Sequence, residues 1–202
     1  MKKSFLLIVL CVFVCLGAYA QKSDVEVASQ LTKVEQFKTN NTFIKETEIY
    51  KVKGDVKVYC KLFTDLKTDE KIAALEFVPS TAKLLLGTAT TATLGYLDMD
   101  EVDDFVLALE TIVNEFEKRD KKEQWTISYS APGGIDVIAG PALPLLPANF
   151  VLFRKKWFKI DEYGQQTCVY SEGNVSTSIN KLPEIIAGIK EAQQIANQAL
   201  SK

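Results

Sequence analysis

Met99-Asp-Glu-Val-Asp-Asp-Phe-Val-Leu-Ala-Leu109 and Ile179-Asn-Lys-Leu-Pro-Glu-Ile-Ile-Ala-Gly-Ile189 follow one pattern at an offset of 80 residues. Both run apolar, Asx, charged, apolar, variable, acidic, three apolar, small, apolar. In the first, Val102, Phe105, Val106, Leu109, Ile112, Val113 and Phe116 step by threes and ones, which keeps them on one face of a 3.6-residue helix. In the second, Leu182, Ile185, Ile186, Ile189, Ala192, Ala196 and Ala199 make the matching stripe. Asp100 and Asn180 stand where N-caps are expected. Glu101, Asp103 and Asp104 set negative charge against unsatisfied first-turn N–H groups, and Pro183 falls where a missing N–H costs little. Lys118, Arg119, Lys121 and Lys122 gather at the carbonyl end. Gly188 weakens the second helix by about 1 kcal/mol relative to alanine, a cost that close packing against a sheet would explain.

The strands fit the same frame. Thr42–Val52 and Val56–Phe63 are β-branched and aromatic, with Lys53-Gly54-Asp55 as turn chemistry between them. Lys71–Val78 gives a third strand, and Thr88–Leu97 a fourth that runs into the first helix. After that helix, Trp125–Ser130 and Ile135–Ala139 flank Pro132-Gly133-Gly134, 80 residues beyond Val52-Lys53-Gly54. Phe150–Ile160 follows, and then Thr167–Ser171 and Val175–Ile179, broken at Glu172-Gly173-Asn174. The expected fold is α+β: two β-β-β-β-α repeats, about 41–120 and 121–202, in one domain after a lead-in over 21–40 anchored by Leu31, Val34 and Phe37. Each antiparallel sheet is covered by a C-terminal helix, the helix of its own repeat, and the halves are related by a pseudo-twofold axis.

A repeated β-β-β-β-α order resembles the Whirly-type family of single-stranded-DNA-binding transcription cofactors. Locally, Val175-Ser-Thr-Ser-Ile-Asn180 followed by Leu182 and Ile185-Ile186 is similar to that family's final strand and helix entry. No base-contacting motif of the family can be placed on this chain, so the resemblance implies a fold and no functional residue.

Residues 1–20 read as a secretory signal: Lys2 and Lys3, an apolar run from Phe5 to Leu16, and Ala18-Tyr19-Ala20 as the cleavage site. The apolar run is too short to span a bilayer comfortably, and no later run replaces it. The expected mature chain is exported, periplasmic or extracellular. Loss of Lys2 and Lys3 takes its formal charge from −2 to −4, which gives no global attraction to nucleic acid or anionic lipid. Cys60 and Cys168 remain, either as a disulfide that export permits or as two buried thiols.

The chain has no histidine, so Ser-His-Asp and Cys-His catalysis and histidine-ligated metals are excluded. It has no P-loop, no G-x-G-x-x-G and no G-x-S-x-G. An EF-hand loop starting at Asp98 fails at Val102, Asp103 and Leu109, so no metal and no cofactor is expected. Two segments suit a partner instead. Arg154-Lys155-Lys156-Trp157 sets cations beside an aromatic on a strand that reads as an edge or a bulged one, where lysines also deter unwanted pairing. Leu143, Leu145 and Leu146 lie in a proline-held connection, Gly140–Asn149, and either tuck over the core or offer an apolar surface. The expectation is an exported, non-catalytic binding or assembly module with a protein or envelope partner. Single-stranded nucleic-acid binding is the first alternative and a carboxylate-dependent hydrolase the second.

Overall fold

The computed structural model describes residues 31–79, 93–119, 125–141, 149–160 and 166–202; for 157–160 and 166–173 it describes the backbone alone. The chain enters through α1 (Lys33–Asn40), closed by a capping box in which Thr32 Oγ1 accepts from Glu35 N and the Glu35 carboxylate accepts from Thr32 N. The end of the lead-in is therefore a capped helix, with Val34 and Phe37 buried as its anchors.

Eight strands follow in two antiparallel sheets. β1 (Ile44–Lys51), β2 (Lys57–Asp65), β3 (Lys71–Val78) and β4 (Gly95–Asp98) pair in chain order. So do β5 (Ile127–Ser130), β6 (Ile135–Pro141), β7 (Asn149–Ile160) and β8 (Gln166–Ser178). The turns before β2 and β6 each need a glycine at positive φ, Gly54 at 133° and Gly134 at 88°, 80 residues apart. Register aligns the halves further: Phe77 faces Gly95 as Phe153 faces Val175. β8 is continuous rather than broken at Glu172-Gly173-Asn174. Arg154 pairs with Asn174 and Lys156 with Tyr170, so the surplus residues of β8 are absorbed as a bulge inside the strand.

Each sheet runs directly into a 3₁₀ turn and a helix: Met99–Glu101 into α2 (Val102–Lys118), and Ile179–Lys181 into α3 (Leu182–Leu200). The junctions match in backbone angles, with Glu101 and Lys181 both at φ −92°, ψ −11°. Asp100 and Asn180 thus lie inside 3₁₀ turns and are not caps; no side chain caps α2 or α3. Most of the expected stripes are buried, Val102, Phe105, Val106, Leu109 and Ile112 on α2, and Leu182, Ile185, Ile186, Ile189, Ala192 and Ala196 on α3, whereas Val113, Phe116 and Ala199 towards the helix ends are only partly buried.

The helices do not cover their own sheets. α3, which follows β8, lies along β1, β2 and β3. An added Cβ on Gly54 would meet Ile185 at 3.3 Å, and Cys60 Sγ lies 3.7 Å from the Ala192 carbonyl. α2, which follows β4, reaches the second sheet: its Phe105 ring stands 6.2 Å from Tyr129 and 6.3 Å from Phe153, and Phe116 stacks near Trp125. Each half gives its helix to the other. The physical reason is the tight β4-to-helix turn, which carries the chain across to the facing sheet. One shared core results, running from Val52 and Cys60 through Phe77 and Phe105 to Phe153 and Ala196.

The pseudo-twofold axis is visible in a single contact. Lys190 Nζ lies 2.7 Å from Glu110 Oε1, and these two residues are repeat equivalents. Equivalent positions touch only where an axis passes between them. A second, smaller core of Val34, Phe37, Phe63, Ala74 and Tyr96 lies on the opposite face of the first sheet, under α1. Cys60 is a fully buried free thiol, and burial pushes its pKa up to about 12, so it behaves as a core residue. The Cys168 side chain lies outside the described residues.

Candidate functional site

The basic segment of β7 is placed differently from expectation. β7 is central, paired with both β6 and β8, so the basic strand is not an edge. The register shift at Arg154–Lys156 is taken up by surplus residues of β8, so the bulge lies in the neighbour of β7. Its cations face neighbours within the fold. Arg154 Nη2 approaches Asp136 Oδ2 at 3.5 Å, and Lys156 Nζ lies 3.4 Å from Ser130 Oγ. Lys155 crosses from β7 to α1 and pairs with Glu35, its stem passing over Gly95, where an added Cβ would meet Lys155 Cδ at 3.0 Å. Lys155 therefore ties the second sheet to the helix that covers the first. The Trp157 side chain and Leu143, Leu145 and Leu146 lie outside the described residues.

The acidic run 98–104 is dispersed among separate tasks. Asp98, 4 % exposed, accepts from Lys33 N at 2.6 Å and Val34 N at 3.2 Å, so it caps α1 from another element. Asp100 pairs with Lys33 Nζ at 2.6 Å on the surface. Glu101 Oε1 accepts from Gly133 N at 2.7 Å. Asp103 accepts from Gln193 across the helix pair. Among the described residues no group of three or more such side chains is arranged to hold a metal ion.

Glu101 is the anomaly of this junction. Its Oε2 is buried without a partner, and burial, then the Asp98 charge, push its carboxyl pKa above the ordinary value. A folded-state carboxyl pKa above the unfolded one means the native state holds the proton more tightly, so this group's contribution to stability falls as pH rises through that interval. Asp98 is raised too, by burial, and acts in the same sense. Glu101→Gln keeps an acceptor for Gly133 N and removes the charge. Its stability relative to the wild-type protein is expected to improve between about pH 3.5 and pH 7. A difference in melting temperature that stays constant over that range would contradict this.

The feature that breaks the twofold symmetry is a size exchange along the helices. Ala108, Ile112 and Phe116 of α2 stand where α3 has Gly188, Ala192 and Ala196. The small residues let α3 settle on its sheet; an added Cβ on Gly188 would fall 2.7 Å from Val52 Cγ1. On α2 the larger Ile112 is buried in the core and Phe116 lies 6.1 Å from Trp125. A groove of about 370 Å³ is left, lined by Asp104, Leu107, Ala108, Thr111, Ile127 and Tyr129, with Ser128 on its rim. Leu107 is 60 % exposed there, off the buried stripe. The Tyr129 hydroxyl is held above its usual pKa by burial and then by Asp104 and Glu101, so those carboxylates are felt on the groove floor. Sequence reading passed over these residues, although the exchange and the off-stripe Leu107 were both legible.

Comparison of the chain with protein-family models and with curated proteins returns no match to either. No helix among the described residues is long and apolar enough to cross a membrane.

Proposed function

We propose that the protein is an exported, non-catalytic binding module, and that the groove between α2 and β5 is its recognition surface. The observation that carries this reading is the broken symmetry. Two equivalent helices pack on two equivalent sheets, and one of them is set back over an apolar recess with an exposed leucine on its wall. A recess of mostly apolar walls with one carboxylate at its mouth suits capture of another molecule. Export rests on the signal-like residues 1–20, and cleavage after Ala20 would leave Gln21 at the mature terminus.

Single-stranded nucleic-acid binding has less behind it. Arg154 and Lys155 lie against Asp136 and Glu35, and the recess is rimmed by acid. A photo-crosslinking residue at position 107, in the exporting cell, is expected to give a discrete protein adduct in the extracytoplasmic fraction, and one at exposed Glu117 none. No adduct at 107, or equal adducts at both positions, would overturn the binding reading.

A further inference from the structure

We propose that the open edge of β5 takes up an extended, lysine- or arginine-bearing segment of a partner protein as an added strand, its alternate side chains seated in the groove beneath α2. This rests on the binding reading above and specifies the mode and charge of what binds. The first observation is the edge itself. Ala131 N donates to the Ile135 carbonyl at 2.9 Å, and alternation along an antiparallel pair then turns the backbone groups of Tyr129 and Ile127 towards β6. The N–H and C=O groups of Ser128 and Ser130 are left pointing to the open side, where no described strand pairs with them.

The second observation is that the residues of this edge strand carry no charge of their own. β1, its counterpart, carries Lys45, Glu46, Glu48 and Lys51, charges that discourage a further strand. β5 is Ile-Ser-Tyr-Ser, with no charge and no proline. A strand added there would lie along the groove, with every second side chain directed between Leu107 and Tyr129. The third observation is charge. α2 bears five carboxylates and one lysine, against two and one on α3, and Asp104 stands in the groove itself. A second copy of this chain would bring its own acidic α2 against this one. An oppositely charged partner segment is favoured over self-pairing.

The test uses the mature protein and two labelled peptides, one alternating lysine and valine, the other glutamate and valine, followed by fluorescence anisotropy. The lysine peptide is expected to bind about ten-fold tighter or more, with affinity falling as salt rises. Ser128→Pro removes an edge N–H that no described strand pairs with, and is expected to weaken binding about ten-fold while the melting temperature stays near wild type. Asp104→Asn is expected to weaken binding and flatten its salt dependence. Should Ser128→Pro fail to fold, Leu107→Asn, polar and uncharged at its exposed position, carries the test: lost binding supports the seat beneath α2, and unchanged binding overturns it. Equal binding of both peptides, or full binding by folded Ser128→Pro, also overturns strand addition. If an adduct still forms at position 107, the binding reading survives that failure; without one, both fall.

Discussion

Phe105→Ala is expected to destabilise the protein by about 3–5 kcal/mol in denaturant unfolding, a large share of what a domain of this size has. Phe105 is fully buried and its ring lies 5.7 Å from Phe77, 6.2 Å from Tyr129 and 6.3 Å from Phe153. These neighbours come from both sheets, so the cavity would open where the two halves meet. Neither sheet can close it alone, because each is held by its own ladder. Leu107→Ala, two residues away on the exposed side, should change stability by no more than about 0.5 kcal/mol. A loss below about 1 kcal/mol for Phe105→Ala would mean the ring is not wedged between the halves as described.

The second large effect is Gly188→Ala, where two terms oppose one another. Removing a glycine from a helix interior favours folding by about 1 kcal/mol. The new methyl, however, would lie 2.7 Å from Val52 Cγ1, and Val52 is only 1 % exposed. Overpacking of this kind costs typically about 1–3 kcal/mol, and here the obstacle is a buried β-branched side chain. The net result is a protein less stable than wild type. At the equivalent position α2 carries Ala108, which borders the groove. A Gly188→Ala protein with a raised melting temperature would show that α3 does not approach the first sheet this closely.

The local architecture was legible because periodicity and turn chemistry report on near neighbours. The buried stripe of α2 from Val102 to Ile112, the Gly54 and Gly134 turns and the limits of β3 all follow from residues within a few positions of one another. Which sheet each helix covers was not legible. The stripe on α3 shows that one face is buried, and says nothing about which of two similar sheets buries it. Leu182 to Ala196 would suit either. The central position of β7 was missed for a related reason: Lys155 and Lys156 read as edge residues, whereas Lys155 is matched by Glu35, 120 residues away in the chain. The helix α1 was not anticipated in the lead-in, although Thr32 and Glu35 stand at capping-box spacing; Asp98, which caps the same helix from another element, left no such local signal. The groove stands between these cases. Ile112 against Ala192 and Phe116 against Ala196 are visible once the copies are aligned, but they become a recess only when the exchanged helices are known.

The exchange of helices can be tested directly by dividing the chain in the connection between α2 and β5. Residues 21–120 and 121–202 would be prepared separately and then mixed, and followed by sedimentation equilibrium and thermal unfolding. Each piece lacks the helix that covers its sheet, so neither is expected to give a folded monomer. The equimolar mixture is expected to give a 1:1 complex with one cooperative transition. A stable, cooperatively melting monomer from either piece alone would contradict the account.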